Sequence, residues 1–308
     1  SPASFICTRH KFDYQGSFEA TDRVLLQYGV DHERQEAEDG GGGTPLGKID
    51  LTGVWVQAVV EPVDNLVLTA GLRHDDHSMF GGHTTWRATA AYLFDQTGTR
   101  LHSSVGTGFR APSLYQLSMM IPSISSLQPE TSRSFDIGVE QKFLDGSLTT
   151  DLTYFWAEIE NLIEWDYVGH TGYMQIPGVT RSQGIEASFS YAATNWLDLG
   201  GSYTYTDSKR ETGLRRTNLP RHVAVLSASM RPAEKWTLGG DVKFVADTVD
   251  GTGDLKDHVL LDAKVAYQVN ENAEIYLRGE NLLNQDYQVV RGYGTPGIAA
   301  YAGFKAKF

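Results

Sequence analysis

The sequence predicts an all-β chain, a transmembrane antiparallel β-barrel, and three observations carry that expectation. Side chains alternate apolar and polar with a period of two along nearly the whole length. The connections between alternating segments are in turn short and long. The apolar faces carry almost no charge. Helical spanning is excluded, because no stretch of the 308 residues approaches the roughly 18 consecutive apolar residues that a membrane helix needs. The counts of Gly 32, Tyr 15, Phe 13 and Trp 6 suit strands and turns. A formal charge of -12 argues against nucleic acid as the main partner. Cys7 is the single cysteine, so no intrachain disulfide and no thiolate metal site can form. The first residues, SPASFICTRHKF, do not read as a signal peptide.

About fifteen segments read as strands, most near the ~9–11 residues that a tilted strand needs to cross a bilayer. The first lies near 8–19. In 197–206, Leu197, Leu199, Tyr203 and Tyr205 share one face, and Asp198, Ser202, Thr204 and Thr206 share the other. In 236–244, Trp236, Leu238, Val242 and Phe244 oppose Thr237, Asp241 and Lys243. In 259–268, Val259, Leu261, Ala263, Val265 and Tyr267 oppose Asp262, Lys264 and Gln268. Ile275 and Leu277 oppose Glu274, Arg278 and Glu280, and the closing strand, 299–308, ends on the aromatic Phe308. Short connections are expected at 20–22, 61–65, 95–98, 144–146, 192–195, 231–235 and 269–272. Long ones are expected at 35–46, 75–83, 109–130, 161–178, 207–219, 247–257 and 284–297. A soluble sandwich would alternate too. Two features favour lipid: an uncharged apolar face, where a mid-bilayer Lys or Arg would cost roughly 2–4 kcal/mol, and aromatics near strand ends (Trp236 and Tyr267 at short turns; Phe244, Tyr205 and Trp156 at long loops).

Several stretches resemble the TonB-dependent outer-membrane receptors. GTGFRAPSLYQL (106–117) with SLQPETSRSFDIGVEQ (126–141) is similar to their mid-barrel signature, as are GIEASFSYAA (184–193) and YTYTD (203–207). The ending, LRGENLLNQDYQVVRGYGTPGIAAYAGFKAKF (277–308), is similar to the family's C-terminal box. Its NQDYQ and RGYGTPG look most like the cobalamin receptors, and siderophore receptors share much of it. The resemblance implies a bacterial outer-membrane location and TonB-dependent uptake of a scarce metal chelate, cobalamin first and a ferric siderophore as the alternative. It implies a barrel of 22 strands around an N-terminal plug, with a segment that pairs with TonB. Neither plug nor TonB segment is found here. Residues 1–308 therefore read as the C-terminal portion of such a barrel, about 15 strands of the 22. Topology supports this: with an odd strand count, first and last strands run parallel and cannot pair as antiparallel neighbours, so an odd number of strands, about seven, is expected upstream. Outer-membrane lipid and lipopolysaccharide are the surrounding partners implied. A passive porin and a barrel-borne lipase are the other functional classes; the latter lacks a G-x-S-x-G motif.

GTGFRA (106–111) matches the dinucleotide fingerprint G-x-G-x-x-A, but Pro112 follows at once and a parallel βαβ context is missing. It reads as the structural start of a long loop. His74, Asp75, Asp76, His77 and His83 cluster as metal-ligating types, yet read as a solvated loop, and no metal or other cofactor is expected. Glu158, Glu160 and Glu164 read as a solvated rim rather than a hydrolytic pair. Arg210, Arg215 and Arg216 suit a phosphate or carboxylate, lipopolysaccharide included. The ligand candidates are loop aromatics: Trp165, Tyr167 and Tyr173 (with His170) in 161–178, and Tyr287, Arg291 and Tyr293 in 284–297. Aromatics give wide apolar contact at low entropy cost, as a corrin or a catecholate requires. The same residues would also suit an interfacial girdle.

Overall fold

A computed structural model describes residues 5–40, 44–121, 126–167, 169, 171–251 and 253–307. Two expectations, on His170 and on the terminal Phe308, lie outside the described residues. The strands are β1 (Phe5–Thr21), β2 (Val24–Asp39), β3 (Thr44–Val60), β4 (Leu66–His77), β5 (Gly81–Phe94), β6 (Thr99–Arg110), β7 (Glu130–Phe143), β8 (Leu148–Glu160), β9 (Ile163–Trp165), β10 (Tyr173–Gln175), β11 (Val179–Thr194), β12 (Leu197–Lys209), β13 (His222–Ala233), β14 (Trp236–Ala246), β15 (Val249–Asp250), β16 (Gly253–Asp254), β17 (His258–Asn270), β18 (Ala273–Glu280) and β19 (Ala299–Ala306). Fifteen of them form one sheet in chain order, with each neighbouring pair antiparallel; β9 pairs with β10 and β15 with β16 as small hairpins in the long loops. One short helix, α1 (Leu114–Ser118), lies in the loop between β6 and β7 and is closed by a Ser113/Gln116 capping box. The count of fifteen is as expected. β1 and β19 are the two edges of the sheet and run in the same direction.

The register sorts the two faces, because directly paired residues share a side. One side is apolar row after row: Val54 pairs with Val30, Val56 with Leu72, and Leu72 in turn with Trp86. Val105–Phe135–Trp156, Leu226–Val242–Leu261 and Val265–Leu277–Ala302 continue it. Most of these side chains stay exposed, Val54, Leu72, Leu226 and Leu277 among them. A soluble protein would have to cover so large an apolar surface; a bilayer covers it without further structure. The opposite side is polar and tied by ion pairs: Arg73 holds Asp31 and Asp75, Arg100 holds Glu140 at 2.8 Å, and His102 meets Asp151 at 2.9 Å. Gly53, between Asp31 and Asp75 in the register, is required here. A Cβ at that position would collide with the Arg73 guanidinium that crosses β3 to reach Asp31.

Two expected long loops are corrected. The 35–46 and 75–83 connections are mostly strand: β2 and β3 continue to Asp39 and Thr44, and β4 and β5 to His77 and Gly81. Their outer ends are held by charge, with Arg9 on Glu33 and Arg34 on Asp50 at 2.7 Å, and by a small buried apolar cluster in which Ala37 and Ile49 pack against Leu114 of α1. Polar strand ends show no apolar alternation, so period two is invisible there.

Candidate functional site

Four long loops meet on one rim and enclose a cavity of about 600 Å³. Its lining includes Tyr115 from α1, Trp165, Tyr167 and Tyr173 from the β9–β10 loop, Asp250 from β15, and Arg291 and Tyr293 from the last loop. Five of the six candidate residues thus come together: Trp165, Tyr167, Tyr173, Arg291 and Tyr293. Tyr287 does not join them, because its ring stacks on His258 at 4.4 Å. Tyr115 and Asp250 were not singled out in the sequence. Tyr115 stands inside the SLYQL stretch and could have been found as one more aromatic in a long loop. Asp250 is brought in by the β15–β16 hairpin, for which the sequence offers no local signal.

The aromatic wall is built edge to face: Trp165 on Tyr173 at 5.2 Å and Tyr173 on Tyr115 at 6.0 Å. Burial, ahead of the neighbouring Tyr115 and Tyr167 hydroxyls, holds the Tyr173 phenol above its ordinary range, so it stays neutral and able to donate. Arg291 is fixed from the other side. Its amide N–H donates to Asp250 Oδ2 at 3.1 Å, and its Nη2 donates to the Asp254 carbonyl at 2.9 Å.

Two buried carboxylates position the β9–β10 hairpin. Glu130 accepts from Arg110 through both oxygens at 2.6 Å, and its Oε1 also accepts from the Ile163 N–H at 2.7 Å. Glu164 accepts from Arg210 and from Arg216. A backbone bridge ties the hairpin to the α1 loop, with Ile121 N–H donating to the Tyr173 carbonyl at 3.1 Å. Gly172 makes that approach possible: at φ +148° it has a backbone that favours glycine, and a Cβ there would strike the Met119 carbonyl. Gly172→Val is expected to detach the hairpin from the α1 loop. Limited proteolysis should then cut between 161 and 178 in the variant, under conditions where the wild-type loop stays intact.

Two expectations about charge are corrected by this geometry. Glu158 and Glu164 are not a solvated rim; both are buried and clasped by arginines. Arg210, Arg215 and Arg216 do not offer themselves to an outside anion. Arg210 and Arg216 hold Glu164, and Arg215 holds Asp247 at 2.6 Å. The 74–83 cluster is likewise engaged: His74 with Thr84 at 2.8 Å, Asp75 with Arg73, and His83 stacked on Phe109 at 3.8 Å.

Asp247 gives this loop clasp a pH dependence. The Arg215 guanidinium, with Arg221 beside it and burial opposing both, holds the Asp247 carboxyl below the usual carboxylate range. A lowered folded pKa contributes stability that is fully present above the unfolded value of about 3.9 and is lost as pH falls through the folded one. Amide-exchange protection at Arg221, whose N–H donates to the Asp247 carbonyl at 3.2 Å, should be flat from neutral pH to about 4 and fall below that. Asp247→Asn should remove the acid step.

A family model described as "TonB dependent receptor-like, beta-barrel" matches residues 8–282. The chain belongs to the TonB-dependent receptor β-barrel family. It is an outer-membrane protein, as members of that family are. The vitamin B12 transporter BtuB of Photobacterium profundum is 25% identical over 307 residues, covering 96% of this chain and 49% of the relative. Among solved structures, the copper transporter OprC superposes with a TM-score of 0.83 at 16% identity, covering 100% of this chain and 57% of the other. The siderophore receptor PirA from Pseudomonas aeruginosa superposes with 0.77 at 18%, covering 99% and 56%. The receptor chain spans about half the length of the relatives it matches.

Proposed function

We propose that this receptor chain forms part of the wall and the ligand-capturing rim of a TonB-dependent importer whose cargo is a cobalamin. The observation that carries the reading is the cavity where four loops meet, with aromatic walls and one side chain of each sign, Asp250 and Arg291. A corrin presents a broad ring edged by neutral amides, which such walls can grip without a cationic lining. A ferric catecholate is multiply anionic and calls for unneutralised cations. The nearby candidates, Arg210, Arg215 and Arg216, are already held by carboxylates of this chain. The BtuB relatives support the same choice. Uptake of a ferric siderophore is the alternative.

The domain reading rests on the sheet edges. An open β-edge in hydrocarbon leaves backbone N–H and C=O groups unpaired, at several kcal/mol each. The two edges run the same way, so an odd number of further strands is what completes a barrel from β1 to β19. TonB engagement belongs to the remainder of such a molecule. The test is titration of the whole receptor in detergent with cyanocobalamin and, separately, with a ferric catecholate. Saturable binding of the corrin alone supports the reading; binding of the ferric chelate alone overturns the cargo assignment.

A further inference from the structure

The rim cavity carries two opposite charges that are held apart and left open to its interior. Asp250 is only 9% exposed, and its Oδ2 accepts the Arg291 amide N–H at 3.1 Å. Its Oδ1 has no donor among the described residues. The Arg291 guanidinium makes no ion pair with that carboxylate among the described residues. Its Nη2 donates instead to the Asp254 carbonyl at 2.9 Å, and its Nε and Nη1 have no partner among the described residues. Both residues line the same cavity, beside the Trp165 and Tyr173 rings.

Their placement is built into the loops. In the β15–β16 hairpin Val249 stands opposite Asp254, and Asp250 opposite Gly253. The Val249 carbonyl accepts from the Asn218 N–H at 2.7 Å, which fastens the hairpin to the β12–β13 loop. The Thr248 carbonyl accepts from the Leu255 N–H at 2.8 Å, which closes its base. Gly251 packs against Tyr167 so closely that a Cβ would overlap the tyrosine Cβ. The hairpin is thus fixed from the β12–β13 loop and from the aromatic wall together. Acceptor and donors stand in place before a ligand arrives, so binding need not order them.

An acceptor oxygen and N–H donors in one apolar cavity select a ligand group by its charge. A carboxylate or a phosphate would satisfy Arg291 and bring like charge against Asp250. An ammonium would do the reverse. A primary carboxamide meets both: its carbonyl accepts from Arg291, and its NH2 donates to Asp250. Hydrogen bonds to ionised partners are the stronger kind. Like charges brought together in a desolvated site are strongly disfavoured, so the same pair both attracts the amide and rejects the acid.

With cobalamin as the cargo, the reading on which this one rests, we infer that Asp250 and Arg291 together bind one primary carboxamide of the corrin edge. Asp250 then makes the receptor reject a corrinoid in which that amide has been hydrolysed to the acid. The aromatic walls grip the ring; the charged pair chooses among corrinoids of nearly the same shape.

The test is isothermal titration of the whole receptor in detergent at neutral pH. The probes are cyanocobalamin and its separate monocarboxylic acids, each with one peripheral carboxamide hydrolysed. The wild-type receptor should bind one of these acids about tenfold or more weakly than cyanocobalamin, and the others within about threefold of it. Asp250→Asn keeps the size of the side chain and can donate to a carboxylate, so it should bring the rejected acid within about threefold of cyanocobalamin. Arg291→Leu keeps the backbone N–H that holds Asp250 and should weaken cyanocobalamin about tenfold. Each protein is first shown to be folded by its resistance to unfolding in unheated dodecyl sulfate, and the ratio of two affinities on one preparation does not depend on the folded fraction. If cyanocobalamin binds and every acid binds equally well, or all the acids lose equally, amide selection by this pair is overturned and the cargo reading stands. Rejection that survives Asp250→Asn overturns it too, as does wild-type affinity in Arg291→Leu. If cyanocobalamin itself does not bind, the cargo reading falls and amide selection falls with it.

Discussion

Replacing Trp165 and Tyr173 together with alanine is expected to weaken cyanocobalamin binding to the whole receptor by about a hundredfold. The two rings meet at 5.2 Å and form one wall of the cavity. Burying a large apolar side chain is worth roughly 1.5–3 kcal/mol, and each 1.4 kcal/mol is about a factor of ten. Two rings acting as one wall fall short of their sum, so about 3 kcal/mol is the expected loss. Tyr287→Ala is the internal control. Its ring stacks on His258 outside the cavity, and its loss should leave affinity within about threefold. Isothermal titration of the variants reads this directly. If Tyr287→Ala is as damaging as the double variant, the ligand lies elsewhere on the rim.

The second large effect is on stability. Leu226 and Ser227 are neighbours on β13 and point to opposite sides of the sheet: Leu226 pairs with Gly201 and Val242, Ser227 with Gly200 and Asp241. Leu226→Arg puts a guanidinium against hydrocarbon near mid-strand, at about 2–4 kcal/mol. Ser227→Arg puts the same group on the polar side beside Asp241 and should cost less than about 1 kcal/mol. Denaturant unfolding of the receptor in lipid vesicles, followed by tryptophan emission, measures both. Equal penalties at the two positions would mean that the two sides meet the same medium.

Much of this architecture was legible because the bilayer demands it. The segments at 197–206, 236–244 and 259–268 fall within β12, β14 and β17, where one side must be apolar and the other polar. Legibility failed where that demand stops. The outer ends of β2 to β4 are strands that carry the Arg9–Glu33, Arg34–Asp50 and Arg73–Asp75 pairs, and their buried apolar contact, Ala37 and Ile49 on Leu114, is with a residue far along the chain, so the local sequence looks like a loop. The β9–β10 hairpin stands on Glu130 and Glu164, whose partners lie 20 and more positions away in the chain. Aromatic content was enough to point to Trp165, Tyr167, Tyr173, Arg291 and Tyr293. It could not separate them from Tyr287, because His258, the residue that captures that ring, belongs to another strand. Nor could it show that Arg210, Arg215 and Arg216 are spoken for, since Glu164 and Asp247 are distant in sequence.

The central claim is that lipid touches one side of the sheet and water the other. Single cysteines placed in turn at 224 to 229 of β13, in a cysteine-free background of the whole receptor in bilayers that includes Cys7→Ser, can each carry a nitroxide whose collisions with oxygen and with a water-soluble nickel chelate are compared. The account predicts strict alternation: 224, 226 and 228 favour oxygen, and 225, 227 and 229 favour nickel. Nickel access at all six positions would contradict it.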